Sequence, residues 1–161
     1  DRAVFPGFQG GPHNNVTLAK AVAFEEALSK GFVSYQKQIV KNASVLASAL
    51  LKNGFTLVSG GTDTHLLLVD LRSAGMDGKT VEGILEEGGI TANRNSIPGD
   101  IKPLYPSGLR LGTPAVTTRG MKEREMRMIA EWVRDLILQG RNPREVKKEV
   151  DKLCKKFPLL Y

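Results

Sequence analysis

Leu66-Leu67-Leu68-Val69 is an apolar run without a polar break. A run so short and dense suits a strand buried on both faces better than a helix, whose apolar residues recur every three or four positions. Helical spacing stands on either side of it. Tyr35, Ile39, Ala43, Leu46 and Leu50 share one side of a helix predicted from about Ser34 to Lys52, with Gly54 as its stop. Met128, Ile129, Trp132, Val133 and Leu136 form the stripe of a second long helix, from about Lys122 to Leu138. Strands that alternate with helices in this way imply an α/β sandwich, a small sheet covered by helices.

Shorter signals fill in the rest. Phe55-Thr56-Leu57-Val58 reads as a strand ended by Gly60-Gly61. Asp77 is placed to cap a short helix with Val81, Ile84 and Leu85 inward, stopped at Gly88-Gly89. Ile90-Thr91-Ala92-Asn93 reads as a further strand, and residues 96–107, with Pro98, Gly99, Pro103 and Pro106, as a loop. In Leu109-Arg110-Leu111 a strand would send Arg110 to the face opposite the leucines. Asn142-Pro143 with Glu145 gives a cap, a proline at the first helical position and an acid at the third. Val146, Val150 and Leu153 form that last helix's face. Near the start, Asn14 or Asn15 could cap a helix with Ala19, Val22, Ala23 and Ala27 on one face. The expected organisation is a glycine-rich loop over 1–14, connecting helices over 15–53 and a small α/β domain over 54–161.

Composition narrows the function. The single cysteine, Cys154, can form no internal disulfide, which fits a reducing compartment, and a cytoplasmic location is expected. No apolar run approaches bilayer length, so no membrane partner is expected. The net charge of +6 raises nucleic acid as a partner. The late basic residues, however, alternate with Glu123, Glu125, Glu131, Asp135, Glu145, Glu149 and Asp151, the pattern of a solvated helical face. Trp132, the one aromatic among them, falls on the apolar stripe. No nucleic-acid partner is therefore expected. A basic, non-catalytic module that contacts RNA or other polyanions through the C-terminal helices is the second reading. There is no zinc-type spacing, P-loop, GxGxxG or GxSxG, and no metal site is expected. His13 and His65 stand alone and read as structural hydrogen bonders.

Three polar stretches remain. Phe5-Pro6-Gly7-Phe8-Gln9-Gly10-Gly11-Pro12 is either a plain loop before a helix or a turn whose backbone N–H groups can approach a phosphate. Asn93-Arg94-Asn95-Ser96 could hydrogen-bond a heteroaromatic ligand or simply turn the chain. In Ser107-Gly108-Leu109-Arg110-Leu111-Gly112-Thr113-Pro114, the guanidinium fork suits a carboxylate, or forms a structural ion pair.

These stretches, together with SGGTDTHLLLVDL (Ser59 to Leu71), resemble consecutive signatures of serine hydroxymethyltransferase: AVFPGFQGGPHN (Ala3 to Asn14), TANRNSIPGD (Thr91 to Asp100) and SGLRLGTPAVTTRG (Ser107 to Gly120). Order and separation both match over nearly the whole chain. The resemblance implies the C-terminal part of a fold-type I pyridoxal 5'-phosphate enzyme, with a loop and long helix from the large domain ahead of the small one. It implies a reaction that interconverts serine plus tetrahydrofolate with glycine plus 5,10-methylenetetrahydrofolate. It also implies a homodimer or dimer of dimers. Carried over by motif, Arg110 binds the amino acid's carboxylate and Asn95 contacts the folate. Lys102, Pro103 and Leu104 border the folate site, and Phe5 touches the neighbour's folate. Gly10 and Gly11 approach the cofactor phosphate of the neighbouring subunit.

The departures are a loop before Ser107 slightly shorter than in bacterial members, and the lack of any THK run. In the family that run bears the Schiff-base lysine, upstream of the FPG loop. No catalytic residue is assigned within residues 1–161, and on their own they are expected not to turn over.

Overall fold

A computed structural model of the chain describes residues 1–101, 105–159. It divides into two compact units, residues 1–36 and residues 37–161, and the boundary falls within helix α2.

The first unit holds α1 (Asn14–Ala27) and the start of α2 (Lys30–Lys52). The residue before α1 is His13, and no side chain caps the helix. Asn14 is its first residue, so the expected Asn14 or Asn15 cap is not formed. The small apolar face of Ala19, Val22, Ala23 and Ala27 is not packed into a core, because no residue of α1 is buried. α2 begins four residues before the expected Ser34 and runs through Gly31, a cost that its length absorbs.

In the second unit a four-stranded antiparallel sheet has the order β1-β2-β4-β3. The strands are β1 (Thr56–Leu57), β2 (Leu66–Asp70), β3 (Asn93–Asn95) and β4 (Gly108–Gly112). β2 is interior, as its apolar run requires, but it alternates. Leu67 and Val69 are buried while Leu66 and Leu68 are only half-buried. The expected burial on both faces is thus corrected: pairing is antiparallel, and one face alone carries the full core. Two other strands shift. The expected strand over 55–58 shrinks to Thr56–Leu57, because the chain turns at Val58–Gly60, with Ser59 in the left-handed region at φ 61°. The expected Ile90–Asn93 strand lies instead at Asn93–Asn95, where register with β4 sets it.

The core face of the sheet (Leu57, Leu67, Val69, Leu109, Leu111) joins one cluster with Leu46 and Leu50 of α2, Val81 and Leu85 of α3 (Gly78–Glu87), Met126 and Val133 of α5 (Glu123–Ile137), and Val146 and Val150 of α6 (Pro143–Lys156). Local chemistry starts these helices. The Asp77 carboxylate accepts from the N–H groups of Lys79 and Thr80, both at 3.0 Å, and Asn142 Oδ1 accepts from Arg144 N at 2.9 Å. The stripe of α5 is wider than expected. Val133 and Leu136 are buried, Met128 and Ile129 pack half-buried against the cluster, and Met126, Ala130 and Ile137 are buried beside them. Trp132 is buried as expected, and its Nε1–H donates to Glu149 Oε2 at 2.8 Å.

One short helix is not foreshadowed by any periodicity. α4 (Pro114–Thr118) carries a buried polar tie to α2: Asn42 Nδ2 donates to Thr117 Oγ1 at 2.8 Å and to the Met121 carbonyl at 3.0 Å. Thr113 Oγ1 donates to the Ile39 carbonyl at 2.9 Å. No buried side-chain polar atom among the described residues lacks a partner, as a stable core requires.

Candidate functional site

Register brings the sequence-singled residues of the second unit together. Arg110 on β4 stands directly across from Leu68 on β2 and from Asn93 on β3, while Asn95 stands across from Gly108. Residues directly opposite share a face, and so do residues two apart. Arg110, Asn93, Asn95, Leu68 and Asp70 therefore occupy the outer face of the sheet, away from the leucine core. Leu109 and Leu111 are buried and Arg110 is exposed, as the alternating pattern predicts.

Arg110 has no hydrogen-bond or ion-pair partner among the described residues. Its cross-strand neighbours are neutral. The acid two residues along the same face, Asp70, is engaged elsewhere: Arg72 donates to it from Nε at 3.0 Å and from Nη2 at 2.6 Å. That pairing holds the Asp70 carboxyl below its usual range.

The glycine before this strand has a packing reason. A side chain at Gly108 would run into Ile97 and lie 2.7 Å from the Asn95 carbonyl oxygen. At its base the loop after β3 is pinned by Asp100, whose Oδ2 accepts from the N–H groups of Ser107 at 2.9 Å and Ile97 at 3.0 Å. These donors keep the Asp100 carboxyl below its usual range. Lys102, Pro103 and Leu104 lie outside the described residues.

In the first unit Phe5 is 63% exposed. Gly10 and Gly11 have open space where a side chain would stand, and their N–H groups have no partner among the described residues. Nothing within the chain's own packing requires glycine there.

Sequence reasoning took Asn93 only as one member of a polar cluster and missed that its Nδ2 donates to Asn95 Oδ1 at 2.8 Å. The signal was present, since two residues of spacing on a strand puts both asparagines on one face. It also missed the Asp70–Arg72 pair, which holds an acid that would otherwise compete for Arg110. A cavity of about 260 Å³ lies elsewhere in this unit, lined mainly by apolar residues such as Leu111, Met126 and Trp132, and does not include Arg110 or Asn95. No group of His, Cys, Asp and Glu among the described residues could hold a metal ion, and no helix among them is long and apolar enough to cross a membrane.

The sequence model of the serine hydroxymethyltransferase family matches residues 1–133 of the 161-residue chain. The chain belongs to the serine hydroxymethyltransferase family. The match takes in the first unit and the second as far as residue 133, including the glycine-rich turn, β3 and β4. An antiparallel sheet backed by helices is a mixed α/β fold consistent with the C-terminal domain of a fold-type I enzyme. The family match gives the RNA-binding alternative no support. Several late basic residues are also engaged with acids, among them Arg134 with Asp135 at 2.6 Å, Lys147 with Asp151 at 3.2 Å, and Arg141 with Glu149.

Proposed function

We propose that this chain, as a member of the serine hydroxymethyltransferase family, holds the amino-acid and folate substrates for a pyridoxal 5'-phosphate-dependent exchange of a one-carbon unit between serine and tetrahydrofolate. The observation that carries the reading is Arg110. Its guanidinium is exposed on a strand with no partner among the described residues, and Asp70, an acid on the same face, is already engaged by Arg72. A planar fork so placed can take a carboxylate through two parallel hydrogen bonds and fix the amino acid's orientation. Asn95, on the same face, supports contact with the folate ring.

The residues present fit part of the cofactor. The N–H groups of Gly10 and Gly11, without a partner among the described residues, suit a phosphate, and a neighbouring subunit's cofactor is the one proposed to meet them, in a homodimer or dimer of dimers. Phe5, exposed in the same unit, is proposed against the neighbour's folate. Lys102, Pro103 and Leu104 are proposed to border the folate site. When bound, the cofactor supplies an electron sink for the reacting amino acid. This chain's own residues contribute binding and orientation. Residues 1–161 hold no lysine in a THK run, so taken alone they do not turn over.

The test is serine binding and turnover in the cofactor-loaded protein. Arg110→Ala should weaken serine binding and lower kcat/KM by about a hundredfold, the scale of lost charge-assisted hydrogen bonds. Arg110→Lys should recover little, because an ammonium cannot reproduce the fork. Near-normal constants in both variants sink the assignment. Separately, residues 1–161 mixed with pyridoxal phosphate and trapped with borohydride should show scattered, substoichiometric labelling. One lysine labelled to completion, with cleavage of serine, would make the chain sufficient by itself.

A further inference from the structure

The two asparagines of β3 divide their hydrogen-bonding capacity unequally. Asn93 Nδ2 donates to Asn95 Oδ1 at 2.8 Å and to the Arg94 carbonyl at 2.9 Å, which engages both of its amide hydrogens. Asn95 thus has its carbonyl oxygen occupied, while its Nδ2 has no partner among the described residues. An asparagine amide turned over presents an acceptor where it had presented donors. The Asn93 donor makes those two orientations unequal, because reversing Asn95 would set one NH2 group against another. Asn93 is itself held on the strand directly across from Arg110.

We propose that Asn93 is a positioning residue: it fixes the Asn95 amide with its N–H donors free for a ligand on the outer face of the sheet. The ligand this orientation selects carries an acceptor, a ring carbonyl or ring nitrogen. Asn95 lies one diagonal step from Arg110, about 7–8 Å between α-carbons. The face therefore recognises an acceptor-bearing heterocycle beside a carboxylate. The inference rests on the reading of Asn95 as a folate contact, and the experiment separates the two.

In the cofactor-loaded protein, the Kd of a reduced folate is measured by titration calorimetry, and the KM of serine by kinetics. The variants are Asn93→Ala, Asn93→Thr, Asn95→Ala and the double Asn93→Ala/Asn95→Ala. Loss of one oriented hydrogen bond should weaken folate binding about three- to tenfold in Asn93→Ala. Asn93→Thr, which keeps a donor in a side chain suited to a strand, should recover part of that loss. The double variant should be no worse than Asn95→Ala, and serine KM should stay within about twofold in Asn93→Ala and Asn93→Thr. Normal folate affinity in Asn93→Ala alongside weakened affinity in Asn95→Ala overturns the positioning role and leaves the Asn95 contact standing. Additive losses in the double variant also overturn it, because Asn93 would then act independently. Unchanged affinity in Asn95→Ala removes the folate contact and the positioning role together.

Discussion

In residues 37–161, Leu50, Leu67, Leu85 and Leu109 have at most 2% of their surface exposed; in residues 1–36, Leu18, Phe24 and Leu28 keep 66%, 68% and 80%. Side chains of the same kind do different work in the two units. The second has alternating strands and striped helices whose apolar sides converge on one cluster. The first has α1, where apolar residues spread around the helix and none is buried. A helix of 14 residues is marginal in water without packing. The difference teaches that this chain's own burial stabilises residues 37–161 and gives little to residues 1–36.

The sharpest way to break the comparison is a matched pair of core and surface leucines. Leu109→Ala should cost about 2–5 kcal/mol of stability in denaturant unfolding followed by Trp132 emission. Leu28→Ala should stay within about 0.5 kcal/mol. Equal losses would mean that residues 1–36 belong to the same cooperative core. The glycines make a second pair. Gly108→Ala should destabilise by about 1–3 kcal/mol, because the new methyl meets Ile97 and the Asn95 carbonyl. Gly11→Ala, with open space around it, should leave the same unfolding curve unmoved.

Helix starts give a smaller contrast. Asn142→Ala removes the side-chain bond to Arg144 N and should cost about 1 kcal/mol. His13→Ala removes no cap and should be neutral by the same measurement. The smallest effect concerns acid. The Lys41 ammonium beside Glu123 holds that carboxyl at about 2, against an ordinary 4.5. A carboxyl depressed on folding stabilises the protein above its unfolded value, and that share is lost as pH falls from about 4.5 toward 2. Glu123→Gln should flatten the stability–pH curve in that window. An identical slope in the variant would show that the exposed pair contributes nothing.

Much of the second unit could be read in advance where the cause is local. Asp77 and Asn142 cap helices because each needs only the next two or three N–H groups. Arg110 points away from Leu109 and Leu111 because a strand alternates by two. Where the reading slipped, the deciding partner was distant. β3 sits at Asn93–Asn95 because its pairing with β4 sets the register, and nothing in Ile90-Thr91-Ala92 announces that. The stripe of α5 is widened to Met126, Ala130 and Ile137 by what packs against it.

The sequence by itself determined the alternation of helices and strands, the capped starts of α3 and α6, and the motifs that mark serine hydroxymethyltransferase. All of these are set by the order of neighbouring residues. Only the tertiary structure decided that Asn42 is buried against Thr117 and Met121, that Asp70 is engaged by Arg72, and that Arg110, between Leu68 and Asn93, has no partner among the described residues. The physical reason is register. A shift of one residue in an antiparallel strand carries every side chain to the other face, and the pairing that sets it joins residues far apart in the chain.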